Sequence, residues 1–312
     1  MHFRTRASGL LAGVALFAAL TACSSTSNAA DAAEAPEKLV FAQVPSESAE
    51  GIADNNKAII RVIERETGLE VEIQQATDYA AVIEGLRAGQ IHLASLGPFS
   101  YMVAKDGGAG VEVLGALVDD PDEKPGYQSY GIVPAGSDIT GLEGFKGKTV
   151  CFVDPTSTSG FLYPAAGLLE LGINPEADVT PVFAGGHDAS ALSVVDGTCD
   201  AGFAYDAMVT SQLIESGGMK EGDLEVVWES EIIAGSPYVA SDKLPADLIK
   251  QLKEIFANDL NVPAMIESGV CSSKADCQLP EAKEYGFIPV EDSLYDGVRA
   301  VCEVTEADAC KV

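Results

Sequence analysis

Positive charge is scarce in this sequence. Lysine and arginine total 19 against 48 aspartates and glutamates, a formal net charge of −29. So acidic a chain repels nucleic-acid phosphates and anionic lipid headgroups, which excludes nucleic acid as a partner. Histidine is equally sparse, with three in all. Only His92 and His187 lie beyond the N-terminal segment, and no close Cys/His spacing accompanies them. A metal centre is therefore not expected, and no cofactor is expected either. Long apolar runs are also missing: after residue 20 nothing is apolar enough to span a bilayer.

The one apolar stretch of note is GLLAGVALFAAL (9–20), preceded by His2, Arg4 and Arg6. Its length and basic flank fit an export signal better than a membrane span. It ends in LTAC, and Leu-small-small-Cys resembles the bacterial lipobox. That motif implies a lipoprotein signal peptide over 1–22, cleavage before Cys23, and a lipid on Cys23. Loss of Arg4 and Arg6 would move the formal charge from −29 to about −31. SSTSNAADAAEAPE (24–37) is small and polar, so residues 23–37 read as a disordered tether. The expected location is the outer face of the cell membrane, with the lipid as the only membrane contact.

Export permits disulfides. Cys271 and Cys277 close a short loop, Cys302 and Cys310 bracket an acidic tail, and Cys151 and Cys199 remain. Six cysteines allow 15 pairings, and this is the expected one. Cys151 and Cys199 each fall just inside a predicted strand.

The rest of the chain alternates between strand and helix patterns. Strands are expected at KLVFAQVP (38–45), LEVEIQQA (69–76) and IHLASLG (91–97), with helices at 54–68, 77–90 and 98–108 between and after them. Thr77 or Asp78 is the expected N-cap of the second. A second set runs KTVCFVD (148–154), VTPVFAG (179–185) and CDAGFAYD (199–206), each followed by a helix. Extended segments, VEVLGALVDD with YQSYGIVPAG and LEVVWESEII with SPYVASDKL, interrupt the alternation. The helix PADLIKQLKEIFANDL (245–260) presents Leu248, Ile249, Leu252, Ile255 and Phe256 on one face and is expected to pack. The expected fold is α/β with parallel sheets and two lobes joined by two extended crossovers. Lobe one takes 38–130 with part of 225–312, and lobe two 131–224 with the rest.

Ligands of open α/β sheets bind beyond the carboxyl ends of strands, where helix N-termini offer free N–H groups. Those ends carry Tyr79, the run Ser95 to Tyr101, PTSTSG (155–160), GGHD (185–188) and YDAM (205–208). They hold hydroxyls, one histidine and two acids, but no lysine or arginine. Phosphoryl transfer normally brings a cation to the developing charge. Neutral donors suit recognition of a small oxyanion instead. An exported serine hydrolase using Ser157 or Ser159 with His187 is the competing reading, although TSTSG lacks the leading glycine of a G-x-S-x-G elbow. A receptor that signals to a sensor kinase is a third.

PSESAE, ATDYAAVIEGLRAGQIHLASLGPFSY, DPTSTSGFLYP, GGHDASALSVVDGTCDAGFAYD and GFIPVEDSLYDGVR together span about 40–300. In this combination the chain resembles the periplasmic phosphonate, phosphite and phosphate-binding family of ABC-transporter solute-binding proteins. The resemblance implies a type II periplasmic binding protein fold, two lobes that close on the ligand, and no enzymatic activity. It implies a small phosphorus oxyanion as ligand, an ABC permease as partner, and a monomer. It also implies site residues. Tyr79 and Tyr101 would touch the ligand from lobe one. Ser157, Thr158 and Ser159 would form the oxyanion cradle, with His187 beside it. Asp206, or Asp188 in its place, would accept from a protonated ligand oxygen or amine.

Overall fold

The structure is a computed structural model that describes residues 35–311. The signal segment, Cys23 and most of the tether lie outside the described residues. Among the described residues, thirteen strands form two large sheets and a short ribbon. In chain order the first five are β1 (Lys38–Gln43), β2 (Glu70–Ile73), β3 (Leu93–Ser95), β4 (Val111–Val118) and β5 (Gly126–Tyr127). Then come β6 (Ser129–Pro134), β7 (Thr149–Phe152), β8 (Thr180–Phe183), β9 (Ala201–Tyr205) and β10 (Leu224–Glu229). The last three are β11 (Ile233–Ala234), β12 (Pro237–Ser241) and β13 (Gly286–Ile288).

The first sheet has the order β13-β4-β12-β3-β1-β2 and the second β10-β6-β9-β7-β8. Each contains a parallel trio built by strand–helix–strand units: β2-β1-β3, and β8-β7-β9. The expectation of parallel sheets holds only for these trios. β12 runs antiparallel to both β3 and β4, and β6 antiparallel to both β9 and β10. The reason lies in the connections: a strand that enters a sheet from the other sheet, without a crossover helix, is free to run against its neighbours.

Two segments link the sheets. β5 carries the chain into the second sheet and β11 carries it back, and the two pair antiparallel, Tyr127 opposite Ile233 and Gly126 opposite Ala234. The helix Asp296–Thr305 packs against Pro98–Asp106, beside the first sheet, and against Tyr163–Glu170, beside the second.

Apolar burial explains the element boundaries. Ile59, Val62 and Ile63 on the helix Lys57–Thr67 face Leu248, Leu252, Ile255 and Phe256 of Ala246–Asn258 in one core beneath the first sheet. Gly68 stops the first of these helices at φ 72°, a left-handed cap that favours glycine. Ile249, expected on the same buried face, is only partly buried. The second sheet is packed by aromatic rings: Phe152 stacks on Phe203 at 5.4 Å and meets Phe161 edge-on at 5.4 Å. No helix among the described residues is long and apolar enough to cross a membrane.

The three disulfides are Cys151–Cys199, Cys271–Cys277 and Cys302–Cys310, with Cα separations of 5.8, 5.4 and 5.7 Å. Cys151 lies within β7, but Cys199 sits in the turn ahead of β9 rather than inside the strand.

Candidate functional site

Helix starts from both sheets meet at one small cavity of about 40 Å³. Roughly 10–15 Å³ admits one water, so the space suits a solute of a few heavy atoms. The cradle is built by the turn after β7. Asp154 Oδ1 accepts from Thr156 N and Thr156 Oγ1, both at 2.8 Å, which bends the chain into a helix start. Ser157 is the N-cap, its Oγ accepting from Gly160 N at 3.1 Å. The first turn, Thr158–Leu162, is π-wound before the α-helix Tyr163–Glu170 continues it. Leu162 N donates to Ser157 O at 3.0 Å, and the N–H groups of this first turn lie at the positive end of the helix dipole.

The Ser157 and Thr158 hydroxyls each accept from a backbone N–H. Thr158 Oγ1 accepts from Phe99 N at 2.9 Å, a bond that joins the helix start of Pro98–Asp106 to the cradle. A hydroxyl carries one proton to donate. With one backbone N–H accepted on each oxygen, the O–H groups of Ser157 and Thr158 can still donate into the cavity that both residues line. Ser159 also lines the cavity, while its carbonyl accepts from Ser129 Oγ at 2.6 Å.

Gly160 is required by space. A Cβ there would sit 2.3 Å from Val153 Cγ2 and 2.7 Å from Ser157 Oγ. Gly160→Ala is therefore expected to displace the Ser157 hydroxyl and lower ligand affinity at least tenfold. Isothermal titration checks this; unchanged affinity in a folded variant would contradict the cradle geometry.

His187 opens the helix His187–Val195 and is 4% exposed. Its Nδ1 accepts from Tyr205 N at 3.2 Å, and its Nε2 lies 3.5 Å from Ser157 Oγ. Burial pushes its pKa down to about 3, so the ring is neutral. A neutral ring whose Nδ1 accepts must carry its proton on Nε2, pointing at Ser157 and the cavity. His187 is thus a donor. It cannot take a proton from Ser157, and no carboxylate orients it, so the nucleophile–base–acid arrangement of a serine hydrolase is absent.

Tyr79 is buried at the first turn of Tyr79–Ala88, a helix capped by Asp78 Oδ1 accepting from Ala81 N at 2.8 Å. It lines the cavity together with Ser157. Tyr127, Tyr205 and Tyr238 line it as well. Burial holds all four phenols above their ordinary pKa, so each remains an O–H.

Two expected site residues lie elsewhere. Tyr101 donates to Asp292 Oδ1 at 2.7 Å, packs on Tyr295 with centroids 4.9 Å apart, and lines a different cavity. It is two residues beyond Phe99, about 200° around the helix from the bond to Thr158, and so faces the C-terminal segment. Asp206 does not line the cavity; its Oδ2 accepts from Gln128 N at 3.1 Å and its Oδ1 from Ala207 N at 2.8 Å. Alternation along β9 turns Tyr205 inward instead. Asp188 is not in the lining either, its Oδ1 accepting from Ala189 N at 2.7 Å.

The acids that do line the cavity are Glu47 and Glu281. Glu47 follows β1, at the carboxyl end of a strand, and lies within PSESAE, where the strand-end rule points. Its Oε1 and Oε2 accept from Asn55 Nδ2 at 3.0 and 3.2 Å. Glu281 has no sequence signal: it sits on a turn, Pro280–Ala282, whose Glu281 and Ala282 adopt φ 58° and 54°. Burial raises the pKa of both carboxyls. No lysine or arginine lines the cavity, and no group of three or more metal-ligating side chains occurs among the described residues.

The sequence model for periplasmic phosphonate substrate-binding proteins of ABC transporters matches residues 41–263. The phosphate-import protein PhnD of Mycolicibacterium smegmatis is 46% identical over 306 residues, covering 96% of this chain and 95% of that protein. A binding-protein component of an ABC phosphonate transporter from Pseudomonas aeruginosa superposes with a TM-score of 0.74 at 24% identity, over 86% of each chain. PhnD1 of Prochlorococcus marinus, solved in complex with methylphosphonate, superposes with a TM-score of 0.69 at 19% identity, over 87% of this chain and 99% of that one. These two structures share the two-lobed type II fold. With a family match over most of its length and a near full-length relative, this chain belongs to the phosphonate-binding family of ABC-transporter substrate-binding proteins and is a solute-binding protein, not an enzyme.

Proposed function

We propose that this protein is the lipid-anchored receptor of an ABC importer for a small phosphorus oxyanion, with inorganic phosphate as its ligand. One observation carries the reading: a cavity of about 40 Å³ lined by the hydroxyls of Ser157 and Thr158, each already accepting from a backbone N–H and free to donate. Such a site offers donors to a compact acceptor and leaves no room for a long organic substituent. The 46% identity to a phosphate-import protein supports the same choice.

Cys23 and its lipid hold the receptor at the membrane, and residues 23–37 give it reach. The oxyanion lands on the helix start at Ser157, Thr158 and Ser159, and His187 Nε2–H donates from the side. Tyr79, from the other sheet, completes the shell. The Thr158–Phe99 bond joins the two lobes. The paired strands β5 and β11 are the natural hinge, since they are the segments that link the sheets. Lobe one is then 38–130 with part of 225–312, and lobe two 131–224 with the remainder. The closed monomer docks on its permease.

A thermal-shift series with phosphate, phosphite, methylphosphonate and sulfate tests the ligand. A ligand bound only by the native state stabilises it by about 2.7 kcal/mol at one hundred times Kd. Phosphate is expected to raise Tm most, phosphite next, and sulfate least. No shift with any phosphorus anion would reject the reading.

A further inference from the structure

An anion site lined by two carboxylates and no cation presents a charge problem. We propose that Glu281 is the specificity-determining residue of this site: its carboxylate accepts a hydrogen bond from a P–O–H of the ligand, so that the receptor takes oxyanions that still carry a proton and refuses those that do not. This rests on the oxyanion reading above and names the chemistry that the site selects.

The geometry supports Glu281 over Glu47 as the reader. Both oxygens of Glu47 are held by Asn55 Nδ2 at 3.0 and 3.2 Å, so Glu47 contributes charge more than a free acceptor. No amide donor holds the Glu281 carboxylate in this way, so it keeps accepting capacity toward the cavity that both residues line. Its backbone is left-handed at φ 58°, with Ala282 following at 54°. A residue without glycine's freedom is strained there, and such conformations cluster at ligand clamps. The remaining donors of the cavity are hydroxyls and His187 Nε2–H, which satisfy unprotonated oxygens. An acceptor-only carboxylate is the one group that a fully deprotonated anion cannot satisfy. Phosphate keeps at least one acidic proton at neutral pH and sulfate keeps none. A buried polar group left unpaired by the wrong ligand discriminates far more strongly than a lost apolar contact.

The groups around Glu281 do not remove the effect. Tyr127 from β5, Tyr205 from β9, Tyr238 from β12 and Tyr295 ahead of the last helix all remain neutral phenols. On its own segment Lys283 pairs with Asp119 at 3.0 Å, and Asp119 and Asp206 add negative charge that opposes the lysine. Glu47 faces it across the cavity, with Asp188 behind Glu47. His187 is uncharged, so Glu281 and Glu47 are the carboxyls of the cavity lining that titrate as pH falls toward mild acidity. A protonated Glu281 becomes a donor and accepts sulfate.

Phosphate and sulfate affinities, measured by titration calorimetry on the wild type, Glu281→Gln and Glu47→Gln, test this between pH 8 and 5. In the wild type, sulfate affinity is expected to rise at least tenfold as pH falls across that range, because sulfate itself gains no proton there. In Glu281→Gln, whose amide donates, the phosphate-to-sulfate ratio at pH 7.5 is expected to drop at least thirtyfold and the pH dependence for sulfate to vanish. Glu47→Gln should keep most of both. A flat sulfate profile in the wild type overturns the proposal even if Glu281→Gln does not fold. So does a folded Glu281→Gln that retains the wild-type ratio. If the wild type binds phosphate in either case, the transport reading survives and only the role of Glu281 falls. If it binds no phosphorus anion, the transport reading itself fails.

Discussion

Ser157→Ala together with Thr158→Ala is expected to lower oxyanion affinity about a thousandfold while leaving the fold intact. Each hydroxyl donates to a charged ligand, and such a bond contributes about 1.5–3 kcal/mol. Two of them give about 3–6 kcal/mol, or two to four decades in Kd. Both side chains are only 2% exposed, so alanine also leaves Gly160 N and Phe99 N short of their acceptors. Part of the loss therefore falls on closure as well as on the ligand contact. Calorimetry for affinity and circular dichroism for the fold check the two halves of the expectation. Affinity within threefold of wild type would mean that the cradle holds the ligand by backbone N–H groups alone. Loss of the native spectrum would mean that the hydroxyls are structural.

The second large effect concerns stability. Replacing Cys151 and Cys199 by alanine is expected to cost about 4 kcal/mol, against about 2–3 kcal/mol for each of the other two bridges. The difference follows from loop length: the sequence separations are 48, 6 and 8 residues. Closing a longer loop removes more entropy from the unfolded chain. For a chain of this size the fall in Tm is roughly 10 °C. The bridge ties β7 to the turn that feeds β9, beneath the cradle, so phosphate affinity should fall as well. Differential scanning calorimetry of the three double-alanine variants gives the ranking. An equal or smaller loss for the Cys151–Cys199 pair would show that strain or residual structure, rather than loop entropy, sets the contribution.

Much of this molecule is legible along the chain, because local physics sets it. The apolar runs at β1, β3, β7 and β9, the glycine that stops Lys57–Thr67, and the Asp78 cap are decided within a few residues of themselves. The parallel trios follow from strand–helix–strand alternation. The cradle is legible for the same reason: DPTSTSG follows a strand and starts a helix, so its hydroxyls must cap free N–H groups wherever the helix lies. Tyr79 and His187 occupy equivalent positions at other helix starts, and the structure brings both to Ser157.

Tertiary structure decided the rest, where an outcome depends on what lies across the cleft. Tyr101 shares a helix with the Phe99 N–H that meets Thr158, yet the turn of that helix sends it to Asp292. Asp206 sits at a strand end as expected, but two backbone N–H groups claim its oxygens. The crossovers were visible as extended segments, whereas their mutual pairing, and the antiparallel strands β12 and β6 that it delivers, are contacts between distant parts of the chain. Glu281 is the clearest case. More than two hundred residues separate it from Glu47, and it enters the cavity on a left-handed turn that no periodicity announces. Sequence alone determined that neutral donors at helix ends would meet a small anion. Only the assembled cleft determined which acids line the cavity, because burial and charge at a site are sums over elements that the chain order keeps apart.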